Sequence, residues 1–288
     1  MTKRFVQVMI LITTSVCFAL SMGCGKPWPE SPLYEAPEND PGWTPPADPA
    51  AAKAALLGHY AHYDVVAYGP APTPGGPMNT FIVSYGFTDL YMEGDNLREF
   101  DKFCHAEHIA NQPFVSVFDD AATQAIEPRT ATVNVFQEDG EWKVHRPKTP
   151  TLIGIDGDPD QPLSTDPNDP NINDDDGDGK PGVTVHLTLY GFLKGDLYIA
   201  RREIFQSHLT LYSDGTLFGY VEDDSEQLVV GATLAFLNKQ NNPPQYRGPL
   251  GIDYGLSPIF LVPILEDMDT CEELMANRDA LFPPEPTF

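Results

Sequence analysis

The chain has 288 residues, with 42 acidic and 17 basic side chains and a formal charge of −25 at pH 7. A surface that acidic excludes nucleic-acid binding and repels anionic lipid headgroups. With 41% apolar residues there is still enough material for a sizeable core.

The chain begins with a basic pair, Lys3 and Arg4, then an apolar stretch from Phe5 to Leu20 interrupted by Thr13, Thr14 and Ser15. That stretch is too short and too polar for a spanning helix and fits the h-region of a signal peptide. It ends in Leu20-Ser21-Met22-Gly23-Cys24, with a small residue directly before the cysteine. The arrangement resembles the leader of bacterial lipoproteins, although Ser21 stands where that pattern prefers leucine. The resemblance implies removal of residues 1–23, acylation of Cys24 with palmitate-type chains, and export to the cell envelope on an outer-membrane anchor. Cleavage nearby by ordinary signal peptidase, leaving Cys24 plain, is the alternative. Loss of Lys3 and Arg4 with the leader would make the mature chain more acidic still.

Residues 24–50 read as the lipidated cysteine and a spacer, with prolines at 27, 29, 32, 37, 41, 45, 46 and 49. Such composition favours extended, polyproline-like structure that holds a domain away from the membrane. Trp28 and Trp43 lie within it.

Residues 51–288 form the expected folded unit. Ala50 to Leu57 suits a short helix. After it the dominant period is two: Val183, Val185, Leu187 and Leu189 alternate with Thr184, His186 and Thr188. Strands are expected near 58–68, 79–92, 97–104, 114–118, 131–137, 141–145, 183–192, 196–205, 207–213, 216–222 and 227–237. Short turns such as Asp139-Gly140 and Asp214-Gly215 join them, because Asp-Gly tolerates the positive φ of tight hairpins. The fold class is therefore mainly β: an antiparallel meander closing into a barrel or stacking as a two-sheet sandwich. Thr270 and Glu273 form a capping-box pair ahead of Leu274 and Met275, which predicts a short C-terminal helix. A barrel followed by a helix resembles the lipocalin plan in topology alone, since the Gly-x-Trp signature of that family is missing.

Four cysteines are present. Cys17 falls in the leader and Cys24 carries the lipid. In an oxidising envelope the remaining pair, Cys104 and Cys271, is most simply a disulfide, stapling the C-terminal helix to a strand. Two free buried thiols are the alternative.

The segment 156–182 interrupts the strands with a run of aspartates. Within it, Asp174-x-Asp176-x-Asp178-Gly179 resembles the first half of an EF-hand loop. Calcium takes six to eight oxygen ligands, and carboxylates at positions 1, 3 and 5 converge when a glycine at 6 turns the chain. The Lys180 carbonyl occupies position 7. Position 12 is Val185 rather than glutamate, so the resemblance is closer to the Asp-rich loops of dockerin or thrombospondin-type repeats. Further ligands would come from Asp156, Asp158, Asp160, Asp166 or Asp169. The competing reading is a disordered acidic insertion.

Other chemistry is weaker. Cys104-His105-Ala106-Glu107-His108 gathers potential zinc ligands, but on a strand His105 and Glu107 share a face that His108 leaves. His59 and His62 stand three apart. No nucleophile elbow and no phosphate-cradling glycine loop are present. The combination of leader, Pro-rich spacer, β-domain, the run Asp176 to Val185 and a terminal Cys271-Glu272-Glu273-Leu274 is similar to lipoproteins of Gram-negative bacteria that bring no activity with them. Three functions follow as expectations: a calcium-binding, membrane-anchored binding or structural module; a lipocalin-like carrier of an apolar ligand; or an envelope hydrolase. A hollow barrel interior would favour the carrier, a cleft with converging acid and histidine groups the hydrolase, and a filled core with neither the module.

Overall fold

The computed structural model describes residues 25–73, 76–240, 242–264 and 268–288. The expected leader and Cys24 lie outside them. A short helix α1 (Pro49–Ala55) opens the folded unit, its first turn capped by the Asp48 side chain, which accepts from Ala51 N. Then come β1 (Gly58–Thr73), β2 (Gly76–Glu93), β3 (Asn96–Ala110) and β4 (Phe114–Phe118). A one-turn helix α2 (Asp120–Gln124) leads to β5 (Ala131–Glu138) and β6 (Glu141–Ile153). After the acidic segment follow β7 (Val183–Leu189), β8 (Leu193–Leu211), β9 (Leu217–Asp223) and β10 (Glu226–Ala232). A two-residue pair, β11 (Arg247–Gly248) and β12 (Gly251–Ile252), precedes β13 (Pro258–Pro263) and the final helix α3 (Cys271–Leu281).

All pairings in the large sheet are antiparallel, and eight strands close a ring in the order β1, β2, β3, β5, β6, β8, β9, β13 and back to β1. The mainly β expectation with a C-terminal helix holds. Two differences stand out. β8 runs unbroken where two strands were expected. β13 was not expected at all, because prolines at both of its ends mask a buried run, Ile259 to Leu261.

The long strands β3 and β8 each serve two partners along one edge. β3 pairs β5 at Leu97–Glu99 and β4 at Glu107–His108. β8 pairs β6 from Arg201 to Thr210 and β7 from Leu193 to Ile199. The acidic segment therefore leaves the sheet where β6 ends and returns where β7 begins. Gly154 and Gly182 meet there against Ile199. A Cβ on Gly182 would lie 2.3 Å from the Ile199 carbonyl oxygen, and its φ is +81°. Only glycine lets the three backbones approach so closely.

One end of the ring carries the turns after β2, β5 and β8, with register pairs Glu93↔Asn96, Glu138↔Glu141 and Leu211↔Leu217. The other end carries the turns after β1, β3 and β7. Inside the first end Tyr60, Leu90, Leu97, Trp142, Leu209 and Leu217 pack with Leu56 of α1, plugging the ring. Outside, Tyr63, Phe81, Tyr85 and Phe260 form a second core beneath α3. The Cys104 and Cys271 sulfurs lie 2.02 Å apart with Cα atoms at 5.2 Å, fixing the first residue of α3 to β3. The Thr270–Glu273 capping box is present.

The expectation of a free spacer over residues 24–50 is corrected for its described part. Trp28 packs edge-on to Phe81 at 5.0 Å and against Tyr246 at 4.5 Å. Leu33 N donates to Gly255 O, and the Tyr34 and Tyr63 hydroxyls are 2.9 Å apart. At the far end Trp142 Nε1 donates to Pro46 O. The outer face of β1, β2 and β13 is apolar, so burying it under the proline-rich strap releases more water than leaving the strap extended in solvent.

Candidate functional site

Asp174, Asp176 and Asp178 come together as the sequence spacing requires. One carboxylate oxygen from each lies within 4.8 Å of the others, the sole group of three potential metal ligands found among the described residues. The backbone prepares them. Asp178 N and Gly179 N donate to the two oxygens of Asp174, at 3.0 and 2.8 Å. Thr184 N donates to Asp176 Oδ2 and its hydroxyl to Asp178 Oδ2, both at 2.7 Å, so the first turn of β7 steadies the trio. Gly179 has φ +81°, which makes the sharp bend of position 6. The Gly179 amide holds Asp174 below the usual carboxylate range. Partial burial, with Asp178 adding repulsion, pushes Asp176 up, and its Oδ1 is buried without a partner.

The remaining expected ligands do not join this group. Asp156 accepts from Asn173 Nδ2 at 2.9 Å, and Asp158 accepts from Asp160 N at 3.0 Å in a local turn. Asp160 pairs with Arg129 at 3.0 Å. Asp166 and Asp169 likewise close their own turns with Asn168 N and Asn171 N. Leu163 and Ile172 pack on Ile155, Ala200 and Leu228, so the segment is tied to the sheet rather than splayed from it.

A second concentration of charge escaped the sequence reading. On the inward faces of β1, β2, β3 and β6 lie His62, Asp64, Thr88, Glu99, Asp101 and Arg146, all buried. His62 Nε2 meets Asp64 Oδ2 at 2.9 Å and Nδ1 meets Thr88 Oγ1 at 2.9 Å. Thr88 in turn donates to Asp101 at 2.6 Å. Arg146 lies 3.1 Å from Glu99 and 3.3 Å from Asp101. Burial disfavours the His62 imidazolium, but Asp101 and Asp64 overcome this and carry it up to about 10. Burial together with the Asp101 carboxylate pushes Glu99 up to about 8. Asp101 resists burial through Arg146 and His62, which pull it down to about 2. Burial thus favours the protonated form of Glu99, whereas His62 and Arg146 hold the Asp101 carboxylate charged.

A further layer follows at β8 and β9. Arg201 binds Glu203 through Nε at 2.6 Å and Nη2 at 3.2 Å, and Tyr68 donates to Asp223. Beside it lies a cavity of ≈ 70 Å³, lined by Val66, Ile82, Phe103, Phe205, Arg201 and Glu203. The ring is therefore filled by side chains apart from a small, mainly apolar void edged by Arg201 and Glu203.

The histidines singled out in the sequence do not converge, and His145 and His208 merely stack across β6 and β8 at 4.5 Å. His59 pairs Asp89, His105 pairs Asp120, and Glu107 binds Arg278. His108 points inward to Ser116, held down to about 4 by burial and by Arg201. Among the described residues no helix is long and apolar enough to cross a membrane. No family model, no curated protein and no solved structure matches the chain.

Proposed function

We propose that this is an exported, lipid-anchored envelope protein that acts as a non-enzymatic binding or structural module, with calcium held by Asp174, Asp176, Asp178 and the Lys180 carbonyl. The observation that carries the calcium reading is the trio of carboxylates within 4.8 Å, positioned by backbone and Thr184 hydrogen bonds. Without a bidentate twelfth ligand, affinity belongs to the extracellular class, about 10⁻⁴–10⁻³ M. Titration calorimetry on the purified mature chain should give a calcium heat that Asp176→Ala abolishes. No heat, or an unchanged heat in the variant, defeats the reading.

The anchor rests on Leu20 to Cys24. Cys24→Ser should move the protein from membranes to the soluble fraction, and a variant that stays membrane-bound refutes the anchor. A carrier of an apolar ligand is not favoured, since pockets for such ligands run from about 300 Å³ upward while this cavity is ≈ 70 Å³ and faces Arg201 and Glu203. A hydrolase is not favoured either: His108 bonds Ser116, with no carboxylate to orient its ring.

A further inference from the structure

We propose that the ring stands directly on the bilayer, with the end bearing Asn111, Tyr190 and Phe192 facing the lipid and the Tyr190–Phe192 tip immersed among the headgroups. This rests on acylation of Cys24 and goes beyond it by fixing which surface meets the membrane.

The strap leaves no slack. Lys26 N donates to Asn111 O at 3.1 Å and Asn111 Nδ2 returns a bond to Lys26 O at 2.9 Å. Lys26 Nζ also holds the Phe288 carbonyl at 2.8 Å. Gly25 is pressed so closely on Asn111 that a Cβ there would lie 2.5 Å from the amide nitrogen. Cys24 is the residue bonded to Gly25 in the sequence. An acylated Cys24 would therefore hold the Asn111 turn at the lipid surface.

Asn111 opens onto an apolar tip. Two residues on, Pro113 O accepts from Tyr190 N at 2.8 Å. Tyr190 and Gly191 turn the chain with φ of +52° and +76°. The turn pushes Phe192 out to 78% exposure, beside Tyr190 at 53% and Val115 at 54% on the paired strand β4. A phenyl ring so exposed in water has a natural place in the interface, where tyrosine and phenylalanine bury their apolar bodies and tyrosine keeps its hydroxyl wet.

The turns at the tip itself are free of acid, although the Asp-rich segment 156–182 leaves the sheet further down, where β6 ends and β7 begins. Gln112 Nε2 donates to Gly76 O and Pro77 O, joining the β1–β2 turn to the β3–β4 turn at this end. The stretches 70–80, 109–118 and 187–195 contain no aspartate or glutamate, in a chain holding 42 of them. Lys26 and Lys194 are the charges within or beside these stretches at the tip, and the first acids beyond the last two stretches, Asp119 and Asp196, are both paired with His186. The opposite end carries Glu93, Asp95, Glu138, Asp139, Glu141 and Asp214 in its turns. Acid at that end is a ring's length from the headgroups and largely screened, whereas acid at the Asn111 end would be repelled.

The test places a tryptophan at each end of the full lipidated chain. Phe192→Trp and Phe136→Trp are reconstituted in vesicles of phosphatidylethanolamine and phosphatidylglycerol, with or without bromine on the acyl chains. The wild-type emission from Trp28, Trp43 and Trp142 is subtracted. The added Phe192→Trp emission should shift to the blue and be mostly quenched by brominated lipid, while Phe136→Trp behaves as in water. An unquenched Phe192→Trp on an acylated chain, or quenching at Phe136→Trp instead, overturns the orientation. The mass of the N-terminal peptide separates the two readings. Unmodified Cys24 defeats the anchor and the orientation together, and acylated Cys24 with a dry-side signal at the wrong end defeats the orientation alone.

Discussion

The acidic loop and the ring interior both crowd carboxylates together, and they relieve the repulsion in opposite ways. In the loop Asp174 and Asp178 are exposed and Asp176 half-buried, with water and backbone N–H groups as their company. Their charge faces solvent. In the ring Asp64, Glu99 and Asp101 are buried, where an unpaired carboxylate costs far more. There the chain supplies its own cations, Arg146 and His62, and burial biases Glu99 towards its protonated form. Burial decides which solution is open. A solvated cluster can wait for an ion, whereas a dry one must be neutral before the fold closes.

The largest expected effect breaks that internal neutrality. Arg146→Met should cost roughly 3–5 kcal/mol, because it removes the guanidinium that faces Asp101 and Glu99 in the ring and leaves His62 as the sole cation beside Asp101. Asp176→Asn in the loop, measured without calcium, should stay within about 0.5 kcal/mol. Urea unfolding of both variants compares them directly, and similar losses would dissolve the distinction. Next in size is an alkaline weakening. His62 has its folded-state value raised from 6.5 to about 10, so folding favours the protonated ring. That contribution is fully present below pH 6.5 and is lost as pH rises through about 10. Glu99 is raised from 4.5 to about 8 and acts with the same sign in that lower window, while Asp101 is lowered and acts at the acid end. The alkaline loss from His62 is on the order of a few kcal/mol. His62→Gln should flatten the stability profile between about pH 7 and 10, and an equally steep profile in the variant would show that another group titrates.

The contrast also explains what the sequence could show. Period-two alternation locates most strands, and the spacing of Asp174, Asp176 and Asp178 locates the loop, because both signals are local. The buried cluster is assembled from four strands, and each of its members alone looks like a solvent-facing residue. The signal was nevertheless present in β3, where Glu99 and Asp101 alternate in step with Leu97 and Phe103 and so share their inward face. Once Leu97 is placed in the core, the acids must follow it, and Arg146 must be sought across the ring. The strap was misread for a related reason. Its prolines describe a backbone with no hydrogen-bond pattern of its own, and nothing in that composition states that an apolar sheet face is waiting for Trp28 and Tyr34.

The smaller effects sharpen the loop half of the comparison. At a calcium concentration about a hundred times the dissociation constant, mass action should raise stability by roughly 2.7 kcal/mol. Asp176→Ala should remove that increment in thermal melts with and without chelator, and leave the ring folded. Asp156→Ala should do almost nothing to it, costing about 0.5 kcal/mol or less through its exposed bond to Asn173. This last variant is the finest discriminator, because Asp156 belongs to the same acidic stretch and differs from Asp176 only in where its carboxylate points. If both substitutions weaken calcium equally, the loop acts as a diffuse negative cloud whose total charge matters, and the geometry of the trio is irrelevant. If Asp176 alone matters, binding depends on three oxygens aimed at one point, and the hydrogen bonds from Thr184 and Gly179 are what aim them.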